Sequence, residues 1–168
     1  RVATPKVLLG ARGGYGAIRL LPQINWDGLG GRMREQGTLL MGYSDVCAIQ
    51  LALLAQTGVP SFAGPMLYSE FGSPNPSTFT MQNFIDGTTQ AEHTVTVSQI
   101  QSRDVNLSGT FWGGNLSVLQ SLAGTPYMPD INGGILFIED VNEQPYRIER
   151  ALQTLHLAGI LKKQQAIV

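Results

Sequence analysis

Short apolar runs alternate with glycine-rich turns and helix-like stretches along the first part of the chain. Val7-Leu8-Leu9, within residues 6–11, predicts a buried strand. Arg12-Gly13-Gly14-Tyr15-Gly16 follows, and three glycines in four positions allow unusual backbone angles and the close approach of a ligand. Residues 17–21 predict a short helix stopped by Pro22. Asn25, Trp26 and Asp27, with the glycines at 28, 30 and 31, predict a surface connection. Residues 38–41 predict a second strand, 45–56 a helix ended by Gly58, and 61–65 a third short strand and turn. This alternation indicates an α/β layer with parallel strands, in which sites collect at the carboxyl ends of the strands. Gly13, Gly14 and Ser44 belong at that edge.

The pattern then changes. Residues 70–83 are rich in Ser, Pro, Asn and Thr, which predicts a loop followed by a short helix around 79–85. Residues 93–100 alternate as a half-buried strand does (Thr94, Val95, Thr96, Val97). Gly109-Thr110-Phe111-Trp112-Gly113-Gly114-Asn115 predicts a second glycine-rich turn, feeding a helix over 116–122 closed by Gly124. Residues 135–138 form a continuous apolar strand ending at Glu139-Asp140. Residues 146–158 carry the strongest helical signal: Ile148, Ala151, Leu152 and Leu155 share a face, Pro145 suits the first turn and Gly159 the C-cap. The shift in composition places a domain boundary near Glu92, giving units 1–91 and 92–168.

A chain of 168 residues suffices for one sizeable domain or two small ones. Its net charge of -1 argues against nucleic acid or an anionic membrane as a partner. Charged residues make up 14%, against about 25% in an average soluble domain, as when part of a surface is covered. No apolar run approaches the roughly 20 residues of a membrane span. The single cysteine, Cys47, excludes an intrachain disulfide and reads as a small core residue. Beginning at Arg1 and ending at Ala166-Ile167-Val168, where a buried strand would start, the sequence is expected to be a fragment.

Candidate chemistry centres on Ser44. Between an apolar strand and a helix N-terminus, a serine hydroxyl projects outward and backbone N–H groups face a developing oxyanion. Ser44 therefore reads either as a nucleophile or as a turn serine capping the helix; Val46 stands where G-x-S-x-G has its second glycine. Glu139, emerging from a buried strand, either orients a histidine or pairs with Arg147 or Arg150. His93 and His156 are weak candidates for the base. The Gly13-Gly14-Tyr15-Gly16 turn supplies an oxyanion N–H or cradles a carboxylate, or is merely a tight connection; it matches neither a Walker loop nor G-x-G-x-x-G. Trp112 and Asn115 suit ligand contact, or are a core tryptophan and a turn asparagine. No group of residues has metal-ligand spacing.

Taken in order, these pieces resemble the LD-carboxypeptidase family of serine peptidases. The stretches are Arg12-Gly13-Gly14-Tyr15-Gly16 with Arg19-Leu20-Leu21, Gly42-Tyr43-Ser44-Asp45, Gly64-Pro65-Met66, Gly109 through Leu116, Gly124-Thr125-Pro126, Leu136 through Asp140, and Glu143 through Arg150. The resemblance spans nearly the whole chain. It implies a flavodoxin-like or class I amidotransferase-like parallel-sheet N-terminal domain carrying the serine, plus part of a smaller mixed β/α C-terminal domain carrying the glutamate.

It further implies a serine–histidine–glutamate triad, with Ser44 as nucleophile and Glu139 as the triad carboxylate. The family's histidine falls beyond the strand that begins at Gln165, so the 168 residues alone are expected to be inactive or nearly so. The N–H groups of Asp45 and Gly14 are the oxyanion-hole candidates, and Gly13, Tyr15, Trp112 and Asn115 the substrate-binding ones. The implied reaction releases the terminal D-alanine of murein tetrapeptides in peptidoglycan recycling, with no metal or cofactor. It is placed in a homodimer in the cytoplasm, with the periplasm as the other compartment open. The alternatives are the family branch that confers self-immunity against a peptidyl-nucleotide antibiotic of the microcin C type, and an inactive binding module. Whether the third residue of the stem peptide is lysine or diaminopimelate stays open.

Overall fold

The computed structural model, which describes residues 5–96 and 105–168, has two parallel three-stranded sheets. The first sheet joins β1 (Val7–Leu9), β2 (Leu39–Gly42) and β3 (Phe62–Ala63) in that order. Parallel neighbours require a crossover, and helices α1 (Trp26–Gln36) and α2 (Cys47–Thr57) provide them. The second sheet joins β4 (Phe111–Asn115), β5 (Gly134–Glu139) and β6 (Gln164–Ile167), with crossovers α4 (Leu116–Leu122) and α5 (Pro145–Leu157). Between the sheets in sequence lies α3 (Thr78–Thr89), longer than the short helix expected, with the Ser77 side chain capping it through the Thr80 N–H.

Four expectations need correction. The segment around Trp26 is not a surface connection but the start of α1. Asn25 caps it by accepting the Gly28 N–H at 3.0 Å, and Trp26 is buried with its indole N–H on the Leu21 carbonyl. Helix α1 carries glycine at position 30 because it packs on α2 so closely that a Cβ there would meet Thr57 at 2.7 Å. The second glycine-rich segment is not a turn but strand β4: a side chain on Gly113 would run into the Phe137 carbonyl, and one on Gly114 would meet Cys47. The short helix stopped by Pro22 instead runs Ala17–Gln23 as a 3₁₀ helix with Pro22 inside it. Of the strand expected over 93–100, residues 93–96 form none, and 97–100 lie outside the described residues.

One hydrophobic cluster ties the two sheets together. Leu21, Trp26, Leu51 and Leu53 from the first part pack with Trp112, Leu116, Leu119, Leu136 and Leu155 from the second. Each leucine so buried contributes roughly 1.5–3 kcal/mol. The strong helical signal of α5 has its reason here, since Ala151 and Leu155 are its buried residues. Gly159 leaves that helix at φ 75°, a left-handed turn that glycine adopts without steric cost. Among the described residues no helix is long and apolar enough to cross a membrane.

Candidate active site

The site is built where the strands end. Strand β2 closes with Gly42, and the chain turns through Tyr43 into a 3₁₀ turn, Ser44–Val46, that leads directly into α2. Ser44 has φ 57°, one of two non-glycine residues with positive φ among those described. Left-handed backbone in a serine costs free energy and persists only where its surroundings impose it. Val46 packs closely against the strands that lead into this turn. Its Cγ1 lies 2.7 Å from where a Cβ on Gly42 would stand, and its Cγ2 3.2 Å from one on Gly10. The strand residues, rather than the helix residue, leave the room this sharp turn needs. That explains how the turn forms with valine where G-x-S-x-G has its second glycine.

The Gly13–Gly16 turn lies directly against Ser44. A Cβ on Gly13 would stand 2.8 Å from Ser44 Oγ. Gly14 (φ 152°) faces open space, and Gly16 (φ 107°) starts the 3₁₀ helix. The Asp45 carboxylate accepts the Ala17 N–H at 2.9 Å, which fastens this turn to the residue after Ser44. Tyr15 is 87% exposed beside the turn, with the Arg19 guanidinium 4.9 Å over its ring.

The second sheet brings Glu139 and Asn115 to the same region. They are register partners at the carboxyl ends of β5 and β4. Gly114 abuts Cys47, the first residue of α2, and the Asn115 backbone acts to lower the Cys47 thiol. Glu139 makes none of the ion pairs considered for it: Arg147 pairs with Glu143 at 2.7 Å and Arg150 lies over Tyr146. Its Oε1 is buried without a hydrogen-bond partner among the described residues. Burial pushes the Cys47 thiol up to about 12, with the charges of Glu139 and Asp45 adding to the rise against the Asn115 contact. Cys47 is thus a buried free thiol held in its protonated form.

Of the other candidates, Asn115 uses its side-chain oxygen to cap α4 through the Val118 N–H at 3.2 Å. Trp112 is 5% exposed in the shared core, with its indole N–H on Gln164 Oε1 at 2.9 Å. His93 bonds Asn83 at 2.8 Å and His156 is exposed on α5. Sequence reasoning passed over Glu70, which accepts the Tyr43 hydroxyl at 2.9 Å and the Met66 N–H at 2.6 Å. Its only sequence signal was a lone acid in a Ser- and Pro-rich stretch. No group of three or more His, Cys, Asp or Glu among the described residues is placed to hold a metal ion.

A serine at positive φ between a parallel strand and a helix, with a glycine turn against it, is arranged as the serine of a nucleophile elbow is. The chain belongs to the LD-carboxypeptidase family. Residues 3–64 match the model of the LD-carboxypeptidase N-terminal domain, and residues 108–168 that of the C-terminal domain. A probable murein peptide carboxypeptidase of Bacillus subtilis (strain 168) is 32% identical over 166 residues, 97% of this chain and 51% of the relative. The structure of muramoyltetrapeptide carboxypeptidase from Oxalobacter formigenes superposes with a TM-score of 0.88 at 44% identity, covering 96% of this chain and 54% of that one. The microcin C7 self-immunity protein MccF of Escherichia coli is 30% identical over 186 residues, 93% of this chain and 53% of the relative. The chain spans about half the length of the relatives it matches.

Proposed function

We propose that the protein is a serine carboxypeptidase that hydrolyses the bond between an L-centre and the terminal D-alanine of murein tetrapeptides, in peptidoglycan recycling. The observation that carries this is Ser44 held at positive φ against the Gly13 turn, within a chain of this family. Ser44 Oγ attacks the scissile carbonyl carbon. The N–H groups of Asp45 and Gly14 receive the oxyanion, as orphan donors at the start of a helix and a turn do. The proton passes to the family's histidine, a role that the placements of His93 and His156 do not suit. Glu139 holds that histidine in its tautomer, and its buried, unpaired Oε1 supports the role because such an acceptor is costly unless an N–H donor meets it. The tetrahedral intermediate collapses with departure of D-alanine, and water then releases the acyl group from Ser44. Gly13, Tyr15 and Asn115 flank the substrate's path.

The unit boundary near Glu92 belongs to this reading, supported by the separate sheets on either side of α3. So do a cytoplasmic location and a homodimer, the latter supported by the exposed Tyr68, Phe79 and Ile85; light scattering on the purified protein tests the oligomeric state. The test of activity is release of D-alanine from murein tetrapeptide by the full-length protein and by Ser44→Ala, run beside a peptidyl-nucleotide substrate. Loss in the variant supports the nucleophile; undiminished release overturns it. Preference for the peptidyl-nucleotide selects the self-immunity branch, towards which the likeness to MccF points.

A further inference from the structure

We propose that Glu70 is a positioning residue for the Ser44 nucleophile, acting through Tyr43 on one side and Met66 on the other. The inference rests on the serine-peptidase reading above. Tyr43 immediately precedes Ser44, and its ring is carried on the strand-to-helix turn itself. Its hydroxyl donates to Glu70 Oε1 at 2.9 Å and lies 3.3 Å from Ser69 Oγ. The other carboxylate oxygen accepts the Met66 N–H at 2.6 Å.

Met66 is buried beneath the glycine turn. Its Sδ lies 3.4 Å from where a Cβ on Gly10 would stand, and its Cε 3.7 Å from one on Gly13. The following residues fasten to the same segment, with Leu67 N–H on the Gly10 carbonyl and Tyr68 N–H on the Ala11 carbonyl. Glu70 therefore grips the residue before the nucleophile with one oxygen. With the other it grips the platform under the turn that faces the nucleophile. The residue before Ser44 and the segment under the turn that lies against it are thus referenced to one carboxylate.

Electrostatics agree with the geometry. Burial acts to raise the Glu70 carboxyl, yet the Met66 N–H, Ser69 and Tyr43 outweigh it and hold the group below its usual range. The clamp is thus a charged one, with charge-assisted hydrogen bonds, which are stronger than neutral ones. Nothing in the proposal requires Glu70 to touch substrate.

The test uses the full-length protein with murein tetrapeptide, reading kcat and KM for D-alanine release, together with the rate at which a fluorophosphonate labels Ser44. Glu70→Ala and Tyr43→Phe should each lower kcat and the labelling rate about tenfold while KM stays within about twofold, the signature of a misplaced nucleophile. Glu70→Gln should recover most of the loss, because its Oε1 still accepts the Met66 N–H and its amide N–H donates to the Tyr43 oxygen. The double variant Tyr43→Phe/Glu70→Ala should be no worse than Glu70→Ala alone, since both act along one path. Unchanged kcat and labelling in Glu70→Ala overturn the inference. So does multiplicative loss in the double variant, or a Glu70→Gln protein as weak as Glu70→Ala. Ser44→Ala separates the two levels: if it is dead while Glu70→Ala is normal, only the positioning role falls. If it is fully active, the parent reading falls.

Discussion

Gly13→Ala isolates the contact between the glycine turn and the nucleophile. Gly13 does not have the left-handed backbone of Gly14, so alanine fits its backbone, and everything turns on space. The new methyl would stand 2.8 Å from Ser44 Oγ and 2.9 Å from Ser44 Cβ, where ordinary contact begins at 3.4 Å. Ser44 would have to retreat by roughly half an ångström, and it has little freedom to do so because Val46 already fills the room left by Gly42. Overpacking of this kind costs about 1–3 kcal/mol, partly offset by about 0.4–1 kcal/mol from the stiffer unfolded chain. The fold survives with a modest loss. Catalysis does not share that tolerance: displacement of a reacting atom by about an ångström costs about 100-fold, so half of that predicts a fall of roughly 10-fold in kcat. D-alanine release and fluorophosphonate labelling should fall together, with the unfolding midpoint in urea only slightly lowered. A Gly13→Ala protein with kcat and labelling within about twofold of the parent would refute the claim that this turn lies against the working nucleophile.

Glu139→Gln should keep the fold and lower kcat by up to about 10⁴-fold, the scale seen when a triad carboxylate becomes an amide, measured against an unchanged urea midpoint; activity within tenfold of the parent would remove Glu139 from the triad. Cys47, raised from 9.0 to about 12, should resist iodoacetamide in the folded protein at pH 8.5 and react in urea. By linkage, the folded state holds this proton more tightly than the unfolded one. Its contribution is therefore complete below 9.0 and lost as pH rises towards about 12, so the urea midpoint should drop across that window; a Cys47→Ala variant that drops equally would assign the slope elsewhere. Gly30→Ala and Gly31→Ala should move thermal stability in opposite directions. The first drives a methyl to 2.7 Å from Thr57 at about 1–3 kcal/mol, while the second meets nothing within 4 Å and gains up to about 1 kcal/mol of helix propensity. Equal shifts would mean that α1 does not pack on α2 as closely as described.

The parallel layers and most helices were legible because their signals are local: an apolar run, a helical face, a glycine at the end. What misled were glycines serving a neighbour rather than a turn. Gly30 looks like loop material until Thr57, far along the chain, is seen to occupy the space beside it. Gly113 and Gly114 look like a ligand-binding turn until Phe137 and Cys47 are placed against them. Trp112 was drawn into the same misreading, its indole N–H being taken up by Gln164 across the sheet. Ser44 and the Gly13 turn were recognisable from the strand-to-helix punctuation. Glu70 was not, because a carboxylate's meaning lies in the donors around it, and Tyr43 and Met66 reach it only through the tertiary fold.

The meeting of Gly114 with Cys47 has a consequence for how such proteins can be recombined. A Cβ on residue 114 would come within 3.1 Å of the Cys47 Cβ, so the two positions share one allowance of volume across halves of the chain that match separate domain models. A chimera joining the first half of one relative to the second half of another inherits only one member of that pair from each parent. Crossover libraries should therefore tolerate junctions on either side of both positions. Junctions between them should survive only where the incoming parent keeps glycine opposite a side chain as large as cysteine.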